Sequence, residues 1–226
     1  MLKLSVIIVN YKTPELLRLC LKRLEEHLKG IDYEVVVIDN AATPPNPLLS
    51  IRGGEGGVVR YIPIKQNIGF ARGVNKGLLE TSGQYKLILN PDALITEGSV
   101  QKMLAYMDRH QDIGMMGPQL LYFNGNHQRS YHRFYRPITI FARRTFLGKI
   151  LKNVMDDFMM ADTDPTKIQT PDWILGAAML VRAEAVKKVG LMDERYFLYF
   201  EDVDWCRRFW HNDYKVVYYP SAVFYH

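Results

Sequence analysis

Cysteine is nearly absent. Of 226 residues only Cys20 and Cys206 carry thiols, and they share no CxxC or metal-ligand spacing. A disulfide framework and a cysteine-built zinc site are thereby excluded, and both thiols read as reduced core residues, as in an intracellular protein. Long apolar runs are missing too. Nothing approaches the roughly 18–20 continuous apolar residues of a membrane-crossing helix. The run Val6-Ile7-Ile8-Val9 ends at Asn10-Tyr11-Lys12, too early for a signal peptide. The expected location is cytoplasmic, with peripheral attachment to the inner face of the plasma membrane left open. Neither GxGxxG nor GxxxxGK[ST] occurs, which argues against a dinucleotide-dependent dehydrogenase and a phosphate loop. The glycine run at 53–57 reads as a flexible connection.

Acidic residues are missing from one stretch. Residues 127–153 hold seven of the 29 basic residues (Arg129, Arg133, Arg136, Arg143, Arg144, Lys149, Lys152) and none of the 24 acidic ones, so the net charge of +5 resides there. Phe134, Tyr135, Phe141 and Phe146 are interleaved with these cations. Two readings stand: a surface loop over a site, or a contact with anionic membrane or a lipid diphosphate. No nucleic-acid module surrounds the stretch, so no nucleic-acid partner is expected.

The 48% hydrophobic and 23% charged content suits a folded chain, and its length suits one domain with a sizeable core. Strand and helix patterns alternate through the first half. Apolar runs at 3–9, 34–38, 58–63 and 86–89 read as buried parallel strands. Thr13-Pro14 offers an N-cap and a first-turn proline to a helix carrying Leu17, Leu21, Leu24 and Leu28, closed by Gly30. Helices are also expected at 69–81 and 99–110. The second half is less regular, with strands at 113–122, 173–181 and 215–219 and helices at 183–189 and 203–210. This pattern predicts an α/β fold, a Rossmann-like open, mostly parallel sheet flanked by helices. The expected organisation is one domain over 1–226, with halves at 1–112 and 113–226.

Ligands of such sheets bind beyond the carboxyl ends of the strands. Asp39 closes the second apolar run, and Asp92 follows the fourth. Either alone is as readily a solvated turn residue; together they favour a site. Gly69, Gly73 and Gly77 recur at helical spacing, suited to close packing or to close approach of a ligand, with Arg72 and Asn75 on the same element. Glu201, Asp202 and Asp204 open a helix. The helix field favours acids there for structural reasons alone, and it would also keep an aspartate ionised as a general base requires.

The ordered set Val6-Ile7-Ile8-Val9-Asn10-Tyr11, Val37-Ile38-Asp39-Asn40, residues 67–77, Leu89-Asn90-Pro91-Asp92-Ala93, residues 173–177, Gly190-Leu191-Met192-Asp193-Glu194, residues 201–206 and residues 220–226 resembles family 2 glycosyltransferases of the GT-A fold, particularly their rhamnosyltransferase-like branch. The resemblance implies an inverting, metal-dependent hexosyltransferase of cell-surface polysaccharide synthesis. A nucleoside diphosphate sugar, dTDP-rhamnose as first choice, would be the donor and a glycan or polyprenyl-linked molecule the acceptor. It assigns Asn10, Tyr11, Asp39, Asn67, Arg72, Asn75, Asn90 and Asp92 to the nucleotide sugar. Asp92 and His226 would hold Mg²⁺ or Mn²⁺, with Asn90 standing where relatives carry a first aspartate. Asp202 would be the general base, with Glu201 beside it, while Trp173 and Gly176 would face the acceptor. Trp173 as a core tryptophan, and His226 as a disordered terminal residue, are the competing readings. Members of the family usually continue past this histidine, so a chain truncated at its C-terminus is expected. A non-catalytic nucleotide-sugar-binding module, or an inactive fragment, is the alternative function.

Overall fold

The computed structural model describes residues 2–41, 57–144 and 151–226. Most of the 53–57 glycine run, and Phe146 and Lys149 of the basic stretch, lie outside these residues. The apolar runs form β1 (Leu4–Asn10), β2 (Tyr33–Asp39), β3 (Gly57–Pro63) and β4 (Tyr85–Leu89). They pair in parallel in the order β3-β2-β1-β4. Every residue of β1 and β4 is buried, as strands covered on both faces require. Helices α1 (Pro14–His27) and α3 (Ser99–Arg109) pack Leu17, Leu24, Met103 and Met107 on one face of the sheet, and α2 (Phe70–Leu79) packs Ala71 and Val74 on the other.

The same sheet continues into the second half. β10 (Ala178–Arg182) lies antiparallel between β4 and β6 (Ile113–Leu121), and β11 (Lys215–Tyr225) runs parallel to β6. Short β5 (Leu94–Ile95) pairs with the end of β11, and β7 (His127–Gln128) with β6. A separate two-stranded sheet joins β8 (Tyr131–His132) to β9 (Trp173–Ile174). Helices α4 (Pro137–Arg144), α5 (Lys152–Phe158), α6 (Ala183–Val189) and α7 (Glu201–His211) complete the described chain. The architecture is the expected open, mostly parallel α/β sheet with helices on both faces.

Local differences have physical causes. Thr13 occupies the N-cap position of α1 but does not cap it; its hydroxyl donates to Asn10 Oδ1 at 2.7 Å. The single strand expected over 173–181 is two strands in different sheets. Between them Leu175 N–H to Ser130 O and Asn90 N–H to Ala177 O extend the β8–β9 and β4–β10 registers by one residue each, and the chain changes sheets at Gly176, whose N–H turns to Asp202. The last strand outruns its expected end at 219 and reaches Tyr225, with a register shift between Tyr219 and Val223; Pro220, which has no N–H, lies at that shift. The basic stretch is not a plain loop: it contributes β7, β8, α4 and the start of α5. Both cysteines are buried and free, and burial pushes the Cys20 thiol up to about 12. The glycine stripe of α2 serves packing. A Cβ on Gly73 would sit 2.8 Å from Val9 Cγ1, and one on Gly77 would meet Ile7, so these glycines seat the helix on β1.

Candidate active site

The parallel strands deliver polar residues to their carboxyl ends, where neighbouring ladders diverge. Asn10 ends β1, Asp39 ends β2, and Asn90-Pro91-Asp92 follows β4. A pocket of about 260 Å³ opens there, lined by Tyr11, Asn40, Asn67, Asn90, Asp92 and Phe197 among others. Asp39 is fully buried beneath it: Oδ1 accepts from Asn10 Nδ2 at 3.1 Å and from Ala41 N–H at 3.4 Å, and Oδ2 accepts from Tyr61 OH. Asn10 and Asp39 thus form the support of the pocket, while Tyr11, Asn67, Asn90 and Asp92 form its wall.

Two residues assigned to the nucleotide sugar are engaged elsewhere. Asn75 is buried; its amide donates to Met192 O at 2.9 Å and Glu194 Oε1 at 3.1 Å and accepts from Met192 N–H at 2.9 Å. Both its donors and one of its two acceptor sites tie α2 to the turn at 190–194. Arg72 pairs with Glu194 Oε2 at 3.5 Å and is absent from the pocket wall.

His226 is ordered by three contacts. Its N–H bonds Leu121 O at 2.8 Å, its Nδ1 meets Gln128 Oε1 at 3.0 Å, and its Nε2 lies 3.5 Å from Asp92 Oδ1. Hydrogen bonding and charge from His226 hold the Asp92 carboxyl below its ordinary range. With Nδ1 directed at Gln128, Nε2 faces Asp92, and loss of its proton would turn that nitrogen toward a cation shared with the carboxylate. No cluster of three His, Cys, Asp or Glu residues occurs among the described residues. One carboxylate oxygen and one imidazole nitrogen nevertheless fit a divalent cation whose remaining ligands come from a diphosphate and water.

The second set of acids opens α7. Tyr199 and Phe200 both take positive φ, 70° and 71°, a costly pair for aromatic residues. The turn places Glu201 and Asp202, 4% and 8% exposed, at the helix start. Asp202 Oδ2 accepts from Gly176 N–H at 3.0 Å and Oδ1 from Val203 N–H at 2.8 Å. Burial raises the Asp202 carboxyl above its ordinary value, partly offset by these N–H groups. Burial, reinforced by the Asp202 charge, lifts Glu201 to about 7, and Glu201 Oε2 has no hydrogen-bond partner. Desolvation therefore outweighs the helix field expected to hold these acids ionised.

A cleft of about 590 Å³ lies over Asp202, walled by Tyr135, Arg143, Trp173, Leu175, Tyr199 and Phe200. Trp173 is a core residue at the cleft wall. It is 6% exposed, donates its indole N–H to Arg133 O at 2.9 Å, and still presents an edge to the cleft. The cleft and the pocket adjoin. Phe197 and Leu198 line the pocket while Tyr199 and Phe200 line the cleft. A Cβ on Gly176 would stand 3.5 Å from Asp202 and 3.7 Å from Phe70 of the pocket wall.

Sequence reasoning missed Asn40, Phe197, Leu198, Tyr199, Phe200, Tyr135 and Arg143 as site residues. The aromatic run immediately before Glu201-Asp202 was the available signal for Phe197–Phe200. Tyr135 and Arg143 carried none beyond the basic stretch itself.

Comparison with known proteins follows this geometry. The profile of Glycosyl transferase family 2 matches residues 5–167. An N-acetylglucosaminyl-diphospho-decaprenol L-rhamnosyltransferase of Mycobacterium tuberculosis is 27% identical over 201 residues, covering 83% of this chain and 64% of its own. The dTDP-rhamnosyl transferase RfbF of Shigella flexneri is 26% identical over 208 residues, covering 89% of this chain and 61% of its own. The chain thus spans under two thirds of the length of these curated relatives. Among solved structures, GalNAc-T7 with UDP, GalNAc and Mn²⁺ superposes with a TM-score of 0.74 at 17% identity, over all of this chain and 44% of its own. S. aureus TarS superposes at 0.71 and 16%, over 99% of this chain and 36% of its own. At such identities the structural likeness establishes the GT-A fold.

Proposed function

Because the chain belongs to glycosyltransferase family 2, with the matched stretch spanning Asp39 and Asp92, we propose that it moves a hexose from a nucleoside diphosphate sugar to an acceptor hydroxyl with inversion at the anomeric carbon. The observation carrying this reading is the junction at Gly176, where a pocket holding Asn67, Asn90 and Asp92 adjoins a cleft floored by Asp202. In the pocket, Tyr11, Asn67 and Asn90 hold the nucleotide, over the Asn10–Asp39 support. Asp92 and His226 are the residues that would hold Mg²⁺ or Mn²⁺. Such an ion supplies neutralisation of the charge that grows on the departing diphosphate.

In the cleft, an ionised Asp202 takes the acceptor's hydroxyl proton while that oxygen bonds the anomeric carbon from the face opposite the diphosphate. The bond from the anomeric carbon to the diphosphate oxygen breaks in the same displacement, releasing the nucleoside diphosphate. One displacement inverts configuration and needs no covalent enzyme intermediate. A raised pKa makes Asp202 a better proton acceptor than a solvated aspartate. The Gly176 N–H fixes one of its oxygens and steadies its ionised form. Glu201 positions Asp202 at the helix start.

The relatives' names support rhamnose from dTDP-rhamnose as donor sugar and a lipid-diphosphate-linked acceptor. No helix among the described residues is long and apolar enough to cross a membrane. Peripheral contact at the cytoplasmic face would bring the cleft to a lipid-linked acceptor. Thermal-shift screening of dTDP-, UDP- and GDP-sugars with Mn²⁺, followed by product analysis, tests the reading. A shift with dTDP-rhamnose and an inverted product are expected; no nucleotide sugar bound at millimolar concentration overturns it.

A further inference from the structure

The basic stretch carries five basic side chains that the structure describes, and four of them are already matched. Arg133 pairs with Asp172 at 3.6 Å, Arg136 with Asp157 at 3.6 Å and Lys152 with Asp156 at 2.7 Å. Arg129 bonds the carbonyls of Met159 and Met160 near the end of α5. Arg143 differs. Its Nη1 donates to the neutral Tyr135 hydroxyl at 2.7 Å, and its guanidinium lies over the Tyr135 and Phe158 rings at 5.7 and 5.8 Å. Among the described residues no carboxylate comes within ion-pair distance of it. It also lines the cleft that holds Asp202. Asp202 itself accepts from the N–H groups of Gly176 and Val203, and no ion pair joins it to Arg143 among the described residues.

A guanidinium has five donors in a rigid fork suited to phosphate, and one hydroxyl and two ring faces leave most of them open. The Tyr135 hydroxyl and the two rings hold the guanidinium at the cleft wall, which reduces the side-chain freedom lost on binding. The cleft walls around it are aromatic: Tyr135, Trp173, Tyr199 and Phe200. They offer faces to an apolar or sugar moiety while the cation takes an anion.

Resting on the glycosyltransferase reading, we infer that Arg143 reads a phosphoester on the acceptor, making this cleft selective for acceptors that carry a phosphate or diphosphate beside the sugar that receives the new bond. The phosphoester belongs either to a water-soluble sugar phosphate or to a lipid carrier, and the test separates the two.

Two synthetic acceptors with the same sugar and the same octyl tail serve as probes: octyl N-acetylglucosaminide and N-acetylglucosaminyl diphospho-octane. N-acetylglucosaminyl phosphate without a tail is the third probe. Binding to the full chain is measured by calorimetry with UDP or dTDP and Mn²⁺ present, which requires no turnover. The wild type is expected to bind the diphosphate acceptor about 10- to 100-fold more tightly than the glycoside, the range of one charge-assisted fork. Arg143→Gln is expected to collapse that ratio toward one, and Arg143→Lys to keep part of it. Preference retained by the tailless phosphate assigns the selectivity to the phosphoester itself. Preference that needs the tail assigns it to a lipid-borne phosphoester. Equal binding of the two octyl probes by the wild type, or an unchanged ratio in Arg143→Gln, overturns the inference. So does an Arg143→Gln effect confined to phosphatidylglycerol vesicles without acceptor, which would assign the residue to the bilayer surface. Selective binding without transfer to any acceptor leaves this inference standing and sinks the catalytic reading alone.

Discussion

The main-chain N–H of Gly176 donates to Asp202 Oδ2 at 3.0 Å, across 26 residues of sequence. This bond falls where the strand pattern breaks at 175–177, and together with the Val203 N–H on Oδ1 it fixes the orientation of the carboxylate. Asp202→Asn keeps the volume and removes the base. Transfer is expected to fall by about 10²–10⁴-fold, the usual scale for losing a general base, with nucleotide affinity preserved. Steady-state kinetics alongside calorimetry with the nucleoside diphosphate decide it. Residual transfer within tenfold of wild type would remove Asp202 from the mechanism.

Glu201 gives a stability signature. Its folded pKa is raised from 4.5 to about 7. Between those values the folded chain holds a proton that the unfolded chain has released. The stability it contributes is fully present below about pH 4.5 and is lost as pH rises through 7. Glu201→Gln abolishes that dependence. The variant is expected to gain on wild type between pH 5 and pH 8, by up to about 3 kcal/mol from a shift of this size. Calorimetric melting at both pH values checks it, and a difference that does not change with pH argues against a neutral buried Glu201.

Asn75 separates packing from binding. Asn75→Ala strands the Met192 N–H and C=O inside the protein and is expected to cost about 1–3 kcal/mol, with nucleotide affinity little changed at temperatures where the variant is folded. Asn67→Ala, in the pocket wall, is expected to weaken nucleotide binding with little loss of stability. A reversal of these two outcomes would return Asn75 to the site.

For the cation, manganese titrations in the presence of UDP or dTDP are the direct measure. Asp92→Ala and His226→Ala are each expected to weaken Mn²⁺ binding by at least tenfold. Gln128→Ala, which frees the imidazole to rotate, is expected to weaken it by about 10–100-fold, the range for ligand-orienting partners. Unchanged titrations for Asp92→Ala would place the ion elsewhere.

The parallel half was legible because its strands are continuous β-branched runs buried on both faces, so period and burial agree. The acids closing those strands were legible for the same reason. Trp173–Ile174 and 178–182 read as one strand because apolar content alone does not reveal which sheet a residue joins; the backbone bonds at 175–177 decide that, and they depend on Asp202 and Asn90. The partners of Asn75 were not legible because an asparagine one helical turn from a pocket looks the same in sequence whether it faces ligand or a buried turn at 190–194. The upward shifts at Glu201 and Asp202 were not legible because the helix field can be read from position, whereas desolvation depends on what the rest of the chain packs over them. Arg143 could be separated from Arg129, Arg133, Arg136 and Lys152 only once their carboxylate and carbonyl partners were in place.

The antiparallel insertion of β10 has a consequence for biosynthesis. β4 is buried along its whole length, and one of its two edges is covered by residues 178–182 alone. While the ribosome is still making the intervening ninety residues, that apolar edge presents unpaired N–H and C=O groups, the template on which nascent chains stick to one another. Fragments ending before residue 178 should therefore precipitate or occupy chaperones, and a split version of this protein would have to be cut on the far side of Arg182.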